Sequence, residues 1–219
     1  MNIISDNHLH SSFSSDSNAS SESMIQKALK LGLTSMCFTE HNDYDYPPED
    51  GKIVFKIDFD SYFDTLSGLR EKYRSQIDIR IGIEQGLMAS VASKVDAFDS
   101  DSRLDFIIGS SHLVNGHIDY IARYIPKDRI SEYKEKDFYD ILDAILHTII
   151  TNGKGIELNT AGLRYSTAQT NPSPFILRRY RELGGEIITV GSDAHAPEYL
   201  AYSFDRIPVI LKEAGFRYY

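Results

Sequence analysis

Apolar positions along the chain follow two alternating periods. Runs of strand length recur at Ile3–His8, Ser35–Glu40, Asp78–Glu84, Asp105–Gly109, Gly155–Asn159 and Glu186–Gly191. Between them the apolar residues repeat at helical spacing. Met24, Ile25, Ala28, Leu29 and Leu31 make one helical face, opened by the Ser20–Ser23 cluster and closed by Gly32. Phe59, Tyr62, Phe63, Leu66, Leu69 and Tyr73 make a second. Phe138, Ile141, Leu142, Ile145, Leu146 and Ile149 make the clearest one, ending at Asn152–Gly153. Ser173–Pro174 supplies an N-cap and first-turn pair for a helix that stops at Gly184–Gly185, and a last helix is expected over Pro208–Ala214.

This alternation predicts an α/β fold of parallel βα units rather than a sandwich. No linker, repeat or low-complexity tract breaks the chain, which predicts one domain over residues 1–219. Two long irregular stretches follow strands: Asn42–Lys56, with Pro47–Pro48, and Thr160–Pro172. In β/α barrels the loops after strands carry the site.

The histidines change the picture. Of seven, His8, His10, His41, His112 and His195 fall at or just past predicted strand ends. His8 and His10 are two residues apart, so both imidazoles can face one point. Asp193 and His195 repeat that spacing in Gly191-Ser192-Asp193-Ala194-His195, and Glu40-His41 and Glu84 close the second and third strands. One such feature is ordinarily a solvated rim residue. Their recurrence at termini that converge on one barrel mouth is different, because crowded imidazoles and carboxylates repel or demand costly desolvation. Divalent cations remove that penalty, and an N/O donor set without thiolate suits zinc, manganese or iron better than calcium. His147, on the polar face of its helix four residues after Asp143, reads as a surface histidine, and Cys37 as core packing.

Bulk composition adds limits. The chain has 219 residues, 42% hydrophobic and 25% charged, enough for one full core. The single cysteine forbids an intrachain disulfide, and no leader-like or membrane-spanning apolar run is present; together these predict a cytoplasmic protein. A net charge of −9 argues against nucleic-acid binding, but not against a phosphate ester, since bound cations would reverse the local field.

The motif set resembles the polymerase-and-histidinol-phosphatase (PHP) family. The resemblance rests on Asp6-Asn7-His8-Leu9-His10, Phe38-Thr39-Glu40-His41, Gly82-Ile83-Glu84, Gly109-Ser110-Ser111-His112 and Gly191-Ser192-Asp193-Ala194-His195. Gly155-Ile156-Glu157-Leu158-Asn159-Thr160-Ala161-Gly162-Leu163-Arg164 and Gly116-His117-Ile118-Asp119-Tyr120-Ile121-Ala122-Arg123-Tyr124 are similar to segments of its histidinol-phosphate phosphatase branch. The resemblance covers nearly the whole chain. It implies a distorted (β/α)7 TIM-like barrel holding two to three divalent ions. His8, His10, Glu84 and Asp193 would hold the first; Glu84 would bridge to a second with His112 and His117; Asp16, His41 and His195 would hold the third. By spacing alone Asp16 is equally a turn or cap residue.

One departure stands out. Only Leu113-Val114-Asn115 separates His112 from Gly116, where the family carries a longer insert, as if about one αβ unit were missing. Asn115-Gly116 also reads as a type I′ hairpin turn, which would make His117 a turn-flanking residue rather than a ligand.

The implied chemistry is hydrolysis of a phosphomonoester, L-histidinol phosphate, by a metal-bridging hydroxide. Arg164, with Arg123 as a second candidate, would bind the phosphoryl oxygens, and Asp193 or His195 would supply the leaving-group proton. Tyr44 and Tyr46 could stack on the substrate imidazole or simply pack their loop. Two other readings stay open: a phosphoesterase for another small ester or nucleotide, and a metal-binding protein with altered catalysis.

Overall fold

The computed structural model describes residues 3–44, 46–48, 50–51, 54–98, 100–111, 135–164 and 168–217. His112, His117 and Arg123, with the short spacing around them, lie outside the described residues. Two compact units divide the chain, one formed by Ile4–Gly116 with Ser192–Tyr202, the other by His117–Gly191 with the two termini.

The first unit is built on four parallel strands in the order β1-β2-β3-β4: β1 (Ser5–Leu9), β2 (Ser35–Asn42), β3 (Asp78–Gly86) and β4 (Phe106–Ser110). From Met36 onwards β2 is buried at every position, as expected of a strand covered on both faces. Helix α1 (Ser21–Leu31) starts where the Ser20 side chain accepts from the Ser23 amide, and stops at Gly32, whose left-handed φ of 76° closes the last turn. Its Met24, Ile25 and Ala28 are buried, as are Tyr62, Phe63 and Leu66 of α2 (Phe59–Tyr73). These join Phe38, Ile79, Ile81 and Ile83 in one apolar core. Tyr62 takes its hydroxyl into that core because it finds a partner there, donating to the Gly82 carbonyl at 2.7 Å.

Both predicted periods hold, but the strand ends shift. β2 runs to Asn42 and β3 to Gly86, so Glu40, His41 and Glu84 lie inside the ladder rather than at its end. The apolar pattern stops before the backbone pairing does, because His41, Asn42 and Gln85 are polar and Gly86 has no side chain. β1 begins at Ser5 rather than Ile3. The seven-residue helix α3 (Ala92–Phe98) has no counterpart in the sequence reading; it is too short to show a period.

The segment Ser192–Tyr202 returns to β1. The Asp193 amide donates to the His8 carbonyl at 2.8 Å and the His10 amide to the Ala194 carbonyl at 2.9 Å, with Leu9 and Ala194 bridged in parallel.

In the second unit β5 (Ile156–Asn159) pairs in parallel with β6 (Ile188–Gly191). Helices α4 (Tyr139–Thr151) and α5 (Pro174–Glu182) are clamped by Arg179, which meets both carboxylate oxygens of Asp143 at 2.8 and 2.6 Å. Ser173 caps α5 with Pro174 in its first turn, as its sequence predicts, and α6 is Ile207–Glu213. Of the apolar face predicted on α4, Leu142 and Leu146 are buried while Ile141 and Ile145 are exposed, so the apolar stripe is wider than the buried one. His147 is exposed, as read from sequence.

Candidate active site

The first unit gathers seven of the expected site residues into one cluster. The period-two geometry of β1 aims His8 and His10 together, with Nε2 atoms 3.1 Å apart. Glu84 comes from β3, two strands away, where its backbone is in register with His41 of β2. Its Oε2 lies 3.3 Å from His8 Nε2, 3.5 Å from His10 Nε2 and 3.2 Å from His41 Nδ1. Three imidazoles around one carboxylate oxygen is the arrangement expected of a shared ligand.

Asp193 closes the other side, with Oδ1 at 3.7 Å from His8 Nε2 and 3.5 Å from His10 Nε2. Its φ of 53° lies in the left-handed region, a strain that Asp tolerates better than most residues and that is held here by the bond from its amide to the His8 carbonyl. Asp16, whose spacing left it ambiguous, bridges the second pole: Oδ2 sits 3.0 Å from His195 Nε2 and 3.3 Å from His41 Nε2. The rings of His41 and His195 flank that of His10, with centroids 4.3 and 4.1 Å away.

Electrostatics explain why such a cluster needs a cation. Burial, reinforced by the charges of His41 and His195, pushes His10 down to about 3, so its imidazole is neutral at physiological pH. Burial alone would raise the Asp193 carboxyl, but the charge of His8 and the hydrogen bond with His10 outweigh it and hold it well below the usual range. Asp16 is likewise held low against burial, by hydrogen bonds from His195 and His41. A neutral His10 imidazole beside carboxylates held ionised at Asp193 and Asp16, in a pocket where His8, His10 and Glu84 are almost fully buried, offers donors of the kind a divalent ion takes. Two sets have donor atoms close enough to share an ion: His8, His10 and Glu84, and His10, His41 and His195. The residues therefore fit a metal centre.

Two buried carboxylates hold this cluster from behind, both in family-like motifs but neither assigned to a metal or a catalytic step from the sequence. Asp6, in β1, accepts from the Ser192 amide (2.9 Å), the Ser192 hydroxyl (2.5 Å) and the Ala201 amide (2.9 Å), so it pins the segment that carries Asp193 and His195. Burial pushes its carboxyl up to about 6 despite those bonds. Glu40 accepts from the Ser11 amide and from the hydroxyls of Ser11 and Ser14, both at 2.6 Å, and burial pushes it up to about 7. Ser17 donates to the His195 carbonyl at 2.8 Å. A carboxylate two residues before the H-x-H pair, another just before His41, and the density of serines over 11–23 were the available signals.

Of the two tyrosines, Tyr46 packs within its own loop and Tyr44 meets a side chain of α3. Tyr46 packs edge-on against Phe55, which packs edge-on against His41, and Lys94 lies over the Tyr44 ring. Arg164, in the second unit, ends the single 3-10 turn Ala161–Arg164 that follows β5, and is partly buried.

Comparison with known proteins places this geometry. The chain is 27% identical over 252 aligned positions to the histidinol-phosphatase of Lactococcus lactis subsp. lactis, spanning 96% of this chain and 91% of that one. It is 31% identical over 238 positions to a protein of Thermotoga maritima named probable histidinol-phosphatase, spanning 97% and 93%. A crystal structure of the histidinol phosphate phosphatase from L. lactis, complexed with zinc, L-histidinol and phosphate, superimposes with a TM-score of 0.85, at 27% identity over 98% of this chain and 94% of that one. The PHP domain model matches residues 6–136, which takes in His8, His10, Asp16, His41 and Glu84. With the motifs of that model folded into one cluster of metal-ligand type, the chain belongs to the PHP-domain family.

Proposed function

We propose that this protein is a divalent-metal-dependent phosphomonoesterase that hydrolyses L-histidinol phosphate to L-histidinol and phosphate. The observation that carries the metal chemistry is the position of Glu84 Oε2 among His8, His10 and His41. The substrate is supported by the relatives from L. lactis and T. maritima and by the zinc, L-histidinol and phosphate bound in the L. lactis enzyme.

Two to three ions are proposed. His8, His10, Glu84 and Asp193 would hold one and Asp16, His41 and His195 another; Glu84 would be shared with a further ion completed by His112 and His117. Zinc is the first candidate, with manganese and iron next, since the donors are imidazole and carboxylate only. Ions in these positions supply an activated water at neutral pH and offset the charge of the phosphoryl group.

The chain's own residues do the rest. His10 is kept neutral by its surroundings and presents Nε2 without first losing a proton. His195 turns Nδ1 to the Asp193 carbonyl oxygen at 3.1 Å, which directs Nε2 towards Asp16. We assign the leaving-group proton to the Asp193–His195 pair, joined at 3.5 Å. Arg164 and Arg123 are assigned to the phosphoryl oxygens on their family-like segments. The finer architecture we propose is a (β/α)7-type barrel forming one functional domain, shortened between His112 and His117, and acting in the cytoplasm. In keeping with a shortened chain, the L. lactis alignment runs over more positions than the 219 residues present here.

The test is phosphate release from histidinol phosphate by protein loaded with zinc, manganese or iron, against the chelated protein. Turnover that appears with metal and vanishes with chelator is expected. Metal-loaded protein that leaves the ester intact would overturn the assignment.

A further inference from the structure

Ser11, Ser14 and Ser21 form a buried network with Glu40, and the ligand set does not account for it. Ser11, Ser14, Ser21 and Glu40 are all at least nine-tenths buried. The Ser21 hydroxyl donates to Ser11 Oγ at 3.0 Å, and Ser11 Oγ donates to Glu40 Oε1 at 2.6 Å. On the other oxygen, Ser14 Oγ donates to Glu40 Oε2 at 2.6 Å. Ser14 Oγ also receives the His41 amide at 3.1 Å and lies 3.1 Å from His10 Nδ1.

A serine hydroxyl has one proton and two lone pairs. Here the proton goes to Glu40 and one lone pair takes the His41 amide. With Glu40 ionised only a lone pair is left for His10, and His10 Nδ1 is then the donor. Its Nε2 then carries the free electron pair, and Nε2 is the atom that faces His8, Glu84 and Asp193. A histidine ligand needs its other nitrogen held in this way.

We infer that Ser14 and Glu40 form a positioning relay that fixes the His10 tautomer and, through the His41 amide, the backbone of a second ligand. This rests on the reading of His10 and His41 as metal ligands. Neither Ser14 nor Glu40 touches the metal position; both act through His10 and His41. Glu40→Gln should be as harmful as losing the hydroxyl. The amide nitrogen would face either Ser11 or Ser14, and facing Ser14 it reverses the hydroxyl, which then donates to His10 Nδ1 and puts the proton on Nε2.

The test uses the full-length apoprotein, zinc, and a competing chromophoric chelator. Ser14→Ala and Glu40→Gln should weaken zinc binding by about 10–100-fold, the range for lost outer-shell partners, while Ser14→Thr, which keeps the hydroxyl, should stay within about threefold of wild type. Ring-nitrogen NMR of the apoprotein supplies a readout that a merely structural role would not move. Wild-type His10 should be the Nδ1–H tautomer, and Ser14→Ala should lose that preference. Zinc affinity of folded Ser14→Ala within about twofold of wild type, or an Nε2–H tautomer for His10 in the wild type, overturns the relay. If a variant fails to fold, the wild-type tautomer decides alone. Protein that binds zinc as described yet leaves histidinol phosphate intact refutes the proposed substrate and leaves the relay standing.

Discussion

At Glu84, one carboxylate oxygen faces three imidazoles within 3.5 Å. A neutral isostere keeps the shape and removes the charge that two cations would share. Glu84→Gln is therefore expected to lower kcat/KM by at least about 100-fold and to lose bound metal, with the fold retained. Metal analysis beside a phosphate-release assay checks this; most of the activity surviving would make Glu84 a rim residue. Asp6 tests support rather than ligation. Its carboxylate receives three donors from Ser192 and Ala201, and an amide in its place turns a donor towards donors. Asp6→Asn should cost about 1–3 kcal/mol of stability and weaken activity by loosening the segment that bears Asp193 and His195. Thermal melts of the apoprotein and kinetics of the metal-loaded form measure the two effects; no change in either would show that the Ser192–Ala201 anchor is dispensable. The H-x-H pair was legible in the sequence because alternation in extended chain fixes its common direction; the D-x-H pair converges instead just past β6, with Asp193 at a left-handed φ of 53°. Asp16 was legible only through the family resemblance: nothing in the spacing of a serine-rich loop says which way its one carboxylate will point until the loop closes, as it does here with the Ser12 amide on the Ala19 carbonyl at 2.7 Å. Glu40 was legible as a motif residue but not as the centre of a hydroxyl network, for the same reason.

Among the elements, those bounded by caps were read most closely. Ser20 and Gly32 bracket α1, and Ser173–Pro174 opens α5, because each end is decided by a few local bonds. β2 and β3 were cut short, since Asn42, Gln85 and Gly86 break the apolar pattern while the ladder continues to Asn42↔Gln85. That extension is itself stabilised by side chains: Asn42 donates to Gln85 Oε1 and Gln85 to the Asn42 carbonyl, both at 2.7 Å. In the second unit the α4–α5 clamp could not be read from spacing, because Asp143 and Arg179 lie on different helices. It gives a prediction with a defined sign. The hydrogen bond from Arg179 holds the Asp143 carboxyl below its ordinary 3.8. A depressed carboxylate contributes stability above its unfolded pKa and loses it as pH falls through the folded one. Asp143→Asn should therefore melt slightly lower than wild type at pH 7, and the gap should close on acidification below 3.8. Melting curves across that range are the check. A gap that widens in acid would contradict the pairing.

For the whole molecule, the cation-poor composition and the site's chemistry pull in opposite directions until metals are counted. A chain of net charge −9 repels a phosphate dianion, so any affinity for one must come from bound ions and a few placed arginines. The same acidic field favours a substrate that also carries an ammonium group. Metal reactivity towards the phosphoryl group is common to all simple phosphate esters, so the ratio of kcat/KM between esters isolates what the rest of the substrate contributes. Histidinol phosphate brings an ammonium and an imidazole; p-nitrophenyl phosphate has a better leaving group but neither of these, and glycerol phosphate has neither advantage. A preference of about 100-fold or more for histidinol phosphate over both, in protein loaded with the same metal, is the expected outcome, because a site with polar groups built for a substrate leaves them unpaired with the wrong one. Arg164→Ala should lower kcat/KM for all three esters alike, since its assigned partner is the phosphoryl group they share. Equal kcat/KM across the esters would remove the case for histidinol phosphate and leave a general phosphoesterase. No turnover of any of them with metals bound would point instead to a metal-binding protein with altered catalysis, and the short stretch between His112 and His117 would be the first place to restore residues.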